Sequence, residues 1–146
     1  MGITVLLADD TVVMRRAIRT LLGHEPRIEL VGEAKDFAET VSLTRKFKPQ
    51  VVILDLHMPD TAHLTPMTVS EGLRAYAARV LAISVWNDED TLTLAQSYGA
   101  TELLDKMRLG QELIPAVMKL GCVTRASAIS CGRRSPRPIR RSLRAV

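Results

Sequence analysis

Five short apolar runs, none with a two-residue alternation, recur along the first 120 residues and constrain the fold of this chain more than any other feature. They are Ile3 to Ala8, Ile28 to Gly32, Val51 to Leu56, Arg79 to Val85 and Thr101 to Leu104. A strand with one wet face alternates apolar and polar residues, whereas a strand covered on both faces reads as a continuous apolar run. Segments of helical periodicity separate the runs. From Thr11 to Leu22, Met14, Ile18, Leu21 and Leu22 fall at helical spacing, with Arg15, Arg16 and Arg19 on the other side and Gly23 as a stop. Asp36 and Glu39 have capping-box spacing ahead of a helix carrying Phe37, Val41 and Phe47, which Pro49 ends. The third run leads into an irregular link, Asp60 to Thr68, and a short helix around Ser70 to Ala77. A well-capped helix from Asp88 to Tyr98 stops at Gly99, and a last helix from Gln111 to Leu120 has Pro115 near its first turn. Five strands alternating with five helices specify an α/β, doubly wound parallel sheet.

The 146 residues suffice for one domain with a real core, and 47% hydrophobic with 25% charged is a soluble balance. No stretch approaches the roughly 20 apolar residues of a membrane span. MGITVLLADD has no basic n-region and runs into acid, so it does not read as a signal peptide, and no myristoylation signal follows Gly2. The expected location is the cytoplasm. Cys122 and Cys131 are too few for a disulfide framework.

The net charge of +4 conceals a division. Residues 1–120 hold all 16 acids against 13 Lys and Arg, a balance of −3, while residues 121–146 hold seven arginines and no acid. Usable periodicity stops after Gly121. The expectation is therefore a domain over residues 1–121 and a basic, disordered tail over 122–146, rich in Ser, Pro and Arg. Two explanations of that tail stand. One is an arginine arm for nucleic acid or another anionic surface. The other is an uninformative end, such as a truncated or frame-shifted remnant of a longer protein.

The chemistry collects where the strands end. VVILDLHMPD, residues 51 to 60, closes a buried run on Asp55, and a carboxylate at the edge of a core costs several kcal/mol unless something compensates it. The first run ends in Asp9-Asp10, the fourth in Ser84, and the fifth is followed by Lys106. Ligands of open α/β sheets bind at the carboxyl ends of strands. Three carboxylates brought together raise a pKa or demand a cation, and hard oxygen donors with room for water suit Mg²⁺. An ammonium and a hydroxyl opposite them complete a seat for a phosphoryl group.

In that order, Asp9-Asp10, DLHMP, AISV and LLDK resemble the receiver domain of two-component response regulators, the CheY-like superfamily. The resemblance covers residues 3 to about 120, and EPRIELVGEA and SVWNDED look like the LuxR/NarL type. It implies the strand order 2-1-3-4-5. It implies that Asp55 accepts a phosphoryl group from a sensor histidine kinase or phosphotransfer protein. Asp10 would ligate Mg²⁺ directly and Asp9 through water. The backbone carbonyl of His57 would be a further ligand, which makes its imidazole incidental. Ser84 would donate to the phosphoryl group, Lys106 would pair with it, and Pro59 would shape the following loop. Phosphorylation would then draw Ser84 inward and change the partner preference of the helix 4, strand 5 and helix 5 face, which also implies a homodimer.

Such a chain is a signalling module and not an enzyme, beyond phosphorylating and dephosphorylating itself. Two other readings are the receiver of a truncated LuxR-type transcriptional regulator and a haloacid-dehalogenase-type phosphatase. The latter wants an acid two residues after the nucleophile, where this chain has His57. Three positions depart from the family pattern. Leu103 stands where many receivers place a switching aromatic, Met107 replaces the usual Pro after the lysine, and the link DTAHLTPMTVSEG is long. Trp86 is large enough to shield the site from water. His24 and His63 read as solvated, and Leu56 and Met58 as packing.

Overall fold

The computed structural model describes residues 2–59, 62–130 and 140–141, with side chains as far as residue 122. Its elements follow the expected alternation: β1 (Ile3–Ala8), α1 (Val12–Gly23), β2 (Ile28–Ala34), α2 (Phe37–Phe47), β3 (Val51–Asp55), α3 (Pro66–Arg74), β4 (Arg79–Ser84), α4 (Glu89–Ser97), β5 (Ala100–Asp105) and α5 (Leu109–Ser130). A single 3₁₀ turn, Lys106–Arg108, joins β5 to α5. The five strands are parallel in the order β2-β1-β3-β4-β5, as the resemblance implied. A two-residue strand, β6 (Arg140–Arg141), adds to the outer edge of β5, with Glu102 opposite Arg140 and Leu103 opposite Arg141.

The continuous apolar runs are explained by two cores, one on each face of the sheet. Val5, Leu7, Ile53, Leu81 and Ile83 point to one face and pack with Ile18 and Leu22 of α1 and Leu113, Val117 and Leu120 of α5. Their neighbours Leu6, Ala8, Val52, Leu54 and Ala82 point to the other, with Phe37 of α2, Val69 and Leu73 of α3 and Ala95 of α4. Successive residues of a strand face opposite ways, so burial of both faces removes any polar alternation.

Register aligns the strand ends. Ala8 sits beside Leu54, Asp55 beside Ile83, and Ser84 beside Asp105. Side chains immediately beyond these pairs therefore share one rim.

Three of the boundary differences from the expectation have a clear physical cause. The helix α3 begins at Pro66, inside the link expected to be irregular through Thr68. Thr65 accepts a hydrogen bond from the Thr68 amide at 3.1 Å, and Pro66 occupies the first helical position, where its missing N–H costs nothing. The second is α5, which starts at Leu109 and so puts Pro115 in the helix interior, where it forgoes the bond to the Gln111 carbonyl. The third is the far end of α5. Gly121 does not end the helix: a Cβ at that position would collide with Ile3, so the glycine lets α5 lie against β1. Residues 122–130 contain no Pro or Gly, and a helix already nucleated propagates through them. They are helical, so α5 runs on to Ser130, past the position where the tail was expected to begin. Arg140–Arg141 are strand, and the rest of the tail expectation, with Cys131, lies outside the described residues.

Capping follows the predicted residues. Asp36 accepts from the Glu39 amide at 2.8 Å, and the Glu39 carboxylate reaches the Lys35 amide, one residue earlier than a reciprocal box would place it. Asp88 caps α4 by accepting from Thr91.

Two glycines separate local strain from ordinary helix propensity. Gly99 has φ +80, and a Cβ there would lie 2.6 Å from Ser70 Oγ, so Gly99→Ala is expected to cost about 2 kcal/mol. Gly110 lies near the start of α5 with nothing within 4 Å, so Gly110→Ala is expected to be neutral or stabilising by about 0.5 kcal/mol. Urea unfolding midpoints of the two variants check both signs.

Candidate functional site

The rim at the carboxyl end of the sheet is assembled strand by strand. At the end of β1, the Asp9 amide donates to the Ala34 carbonyl at 3.0 Å, and Asp9 Oδ1 accepts from the Thr11 amide at 2.8 Å. Thr11, the N-cap of α1, makes no side-chain cap of its own, so Asp9 serves an amide at the helix entrance. Arg15, one turn into α1, reaches back and donates to the Asp9 carbonyl at 2.6 Å, with Glu33 3.5 Å away as its counter-ion. This locks the backbone on which the acidic pair sits. Asp9 is fully buried, and Asp10 beside it is exposed.

Asp55, 1% exposed at the end of β3, accepts from the His57 amide at 3.1 Å through Oδ1. At the end of β5, Asp105 accepts from the Met107 amide at 2.8 Å and turns the chain into the 3₁₀ segment. That turn sends Lys106 into the rim. Its Nζ lies 3.0 Å from Asp9 Oδ2 and 3.2 Å from Asp55 Oδ2, with the side chain 12% exposed. Ser84, fully buried at the end of β4, accepts from the Trp86 amide at 3.0 Å, and its Oγ lies 3.1 Å from His57 Nε2.

Oxygens of Asp9, Asp10 and Asp55 all lie within 4.8 Å of one another. The Lys106 ammonium pairs with two of these three carboxylates, those of Asp9 and Asp55. Burial holds the Asp55 carboxyl above the usual carboxylate range; the charge of Asp9 adds to this, and the His57 amide and Lys106 oppose it. For Lys106, burial works against the ammonium, but the interaction with Asp9 and the charges of Asp55 and Asp9 outweigh it, so its pKa is raised. The pairing of Asp9 Oδ2 with Lys106 is one of proximity, because this buried oxygen has no aligned hydrogen bond. Three hard oxygens, an excess of negative charge and an oxygen without an aligned donor suit a small divalent cation such as Mg²⁺.

Asp9, Asp10, Asp55 and Lys106 are thus brought together as the strand-end argument expected, and Ser84 stands on the adjoining strand end. The imidazole of His57, expected to be incidental, contacts the Ser84 hydroxyl. Trp86 engages the site through its backbone amide, while its side chain is 58% exposed. Leu103 is packed in the core with Leu54 and Ala82. Met107 is exposed, and no cis peptide occurs among the described residues. His24 and His63 are exposed, and Leu56 and Met58 are buried, as expected. Arg15 and Asp105 were missed. Helical spacing placed Arg15 on the polar side of α1, but nothing local shows that it reaches back to β1. For Asp105, the only signal was a short-side-chain acid two residues before an amide that begins a turn.

A family model described as the response regulator receiver domain matches residues 5–118. The chain is 33% identical over 106 residues to a protein-glutamate methylesterase/protein-glutamine glutaminase of Pyrococcus horikoshii, covering 71% of this chain and 28% of that protein. It is 29% identical over 114 residues to the nitrate/nitrite response regulator protein NarL of Escherichia coli, covering 78% of this chain and 52% of that protein. It therefore spans between a quarter and about half of these relatives. Among solved structures, the signal receiver domain of the putative response regulator NarL from Mycobacterium tuberculosis is similar, with a TM-score of 0.73 and 28% identity over 83% of this chain and 97% of that one. Among the described residues, no helix is long and apolar enough to cross a membrane.

Removing the ammonium leaves Asp9 and Asp55 uncompensated in a buried site. Lys106→Ala is expected to lower stability by roughly 3 kcal/mol, and Asp9→Asn added to it should recover much of the loss. Urea unfolding of the single and double variants without divalent cations checks this.

Proposed function

The chain belongs to the response regulator receiver domain family, and on that premise we propose that Asp55 is its phosphoacceptor, with a sensor histidine kinase or a phosphotransfer protein as donor. The observation that carries this is the contact of one ammonium, that of Lys106, with both Asp9 and Asp55 at the strand ends. Asp55 is held at its backbone and its carboxylate by a turn and an ion pair, so little reorganisation precedes attack. A carboxylate oxygen of Asp55 forms the new bond to phosphorus as the bond from phosphorus to the donor nitrogen breaks. The electron pair returns to the donor imidazole, which is protonated as it leaves. Lys106 offsets charge on the phosphoryl oxygens, and Ser84 donates its hydroxyl to one of them. Asp9, Asp10, Asp55 and the backbone carbonyl of His57 would hold Mg²⁺, which neutralises charge on the transferring group when bound.

The output on this reading is a change in the face formed by α4, β5 and α5, which serves a partner or a second copy of the chain. The reaction is confined to the chain's own phosphorylation and dephosphorylation, in the cytoplasm, where a kinase-borne phosphohistidine is available. A second reading, the receiver part of a transcriptional regulator of the LuxR type, is supported by the match to half of the Escherichia coli NarL protein. Nucleic acid would then be engaged by further sequence or by the arginines after residue 121. An aspartyl-phosphate phosphatase is not proposed, because His57 stands where that chemistry needs an acid.

Incubation with acetyl phosphate and Mg²⁺, read by intact mass, is expected to show one phosphoryl adduct that is lost in Asp55→Asn and when Mg²⁺ is chelated. An adduct that persists in Asp55→Asn overturns the assignment. In Trp86→Ala the adduct is expected to decay faster, as the ring no longer limits water; an unchanged decay rate removes the ring from the mechanism.

A further inference from the structure

We infer that the imidazole of His57 is a latch on the Ser84 hydroxyl, holding it in its resting position until a phosphoryl group on Asp55 competes for it. The inference rests on the reading of Asp55 as phosphoacceptor and Ser84 as donor to the phosphoryl group. It begins from the contact between His57 Nε2 and Ser84 Oγ at 3.1 Å. A serine hydroxyl has one proton and two lone pairs. The Trp86 amide already occupies one lone pair at 3.0 Å. If Nε2 carries no proton, the Ser84 hydroxyl donates to it, and the proton the phosphoryl oxygen requires is committed elsewhere. If Nε2 carries the proton, it takes the second lone pair, and two donors pin Oγ in place. In the first case Ser84 must give up its bond to the ring before it can donate to the phosphoryl group; in the second its proton is free, and the two donors oppose only the movement of Oγ away from its resting position.

The placement of the two partners suits release. Ser84 is fully buried in a packed strand end, while His57 is exposed on a turn. The ring can therefore swing into solvent without opening the core, and the cost of release is close to that of the single bond. The same turn touches the acceptor, because the His57 amide donates to Asp55 Oδ1 at 3.1 Å. One residue thus contacts both Asp55 and Ser84, and chemistry at the carboxylate acts directly on the backbone that aims the ring. His57 is a positioning residue: its ring acts through Ser84.

The test uses beryllofluoride with Mg²⁺ as a phosphoryl mimic on Asp55, with affinity read by titration and Ser84 read through the Trp86 backbone amide resonance. His57→Leu is expected to bind beryllofluoride roughly three- to ten-fold more tightly than the unsubstituted chain, the range of one net hydrogen bond. Before any addition, its Trp86 amide should be displaced toward the bound position. His57→Gln, whose amide can still hold the hydroxyl, should stay close to the unsubstituted chain in both readouts. In a Ser84→Ala background, His57→Leu should have no effect on affinity. An equal effect of His57→Leu with and without Ser84 overturns the latch, since the ring would then act by access or packing. An unmoved Trp86 amide and unchanged affinity in His57→Leu also overturn it. If the unsubstituted chain and every variant fail to bind beryllofluoride while remaining folded, the reading of Asp55 fails, and the latch falls with it.

Discussion

The ammonium of Lys106, shared between Asp9 and Asp55, is the interaction on which the rest of the site depends. Two carboxylates buried at neighbouring strand ends repel each other, and burial alone already disfavours the charge on Asp55. Without a cation between them, the carboxyl ends of β1 and β3 would have to separate or take up protons. The lysine is delivered by the Asp105 cap and the 3₁₀ turn that follows it, so a short-range hydrogen bond sets a long-range ion pair. One ammonium offsets only part of the charge of three carboxylates. The residual negative charge at the rim suits a divalent cation.

The fold makes this arrangement affordable by leaving the polar chemistry outside both cores. The central strand β3 is apolar on both faces up to its last residue, and β3, β4 and β5 end in Asp55, Ser84 and Asp105 at the rim. Parallel pairing levels these ends, so residues separated by dozens of positions in the chain meet at one rim. Arg15 completes the support from outside by holding the Asp9 carbonyl. The acidic pair therefore sits on backbone that is tied on both sides.

Several features of the chain could be read from local patterns, because their causes are local. The continuous apolar runs follow from burial on two faces, and the caps Asp36 and Asp88 follow from side-chain reach over three residues. Thr65-Pro66 carried an equally local signal for the start of α3, which was masked by the polar composition of the link before it. Gly121 misled for the opposite reason. As a local symbol it suggests an end, but its small size is needed for contact with Ile3, more than a hundred residues away in sequence. The contact of the His57 imidazole with Ser84 has no local signal at all, since it joins the turn after β3 to the end of β4.

The fold class, the order of elements along the chain and the identity of the acids, the hydroxyl and the lysine at the strand ends are all legible in local pattern. Its periodicities and apolar runs reflect interactions within a few residues, and strand ends are visible wherever an apolar run meets a polar residue. Which of these groups touch follows from long-range packing. It set Lys106 between Asp9 and Asp55, drew Arg15 back to β1, carried α5 on to Ser130 and turned the ring of His57 onto Ser84. The physical reason is that each of these contacts depends on the register of parallel strands and on helix packing. Those are properties of the whole sheet, with no expression in any single stretch of the chain.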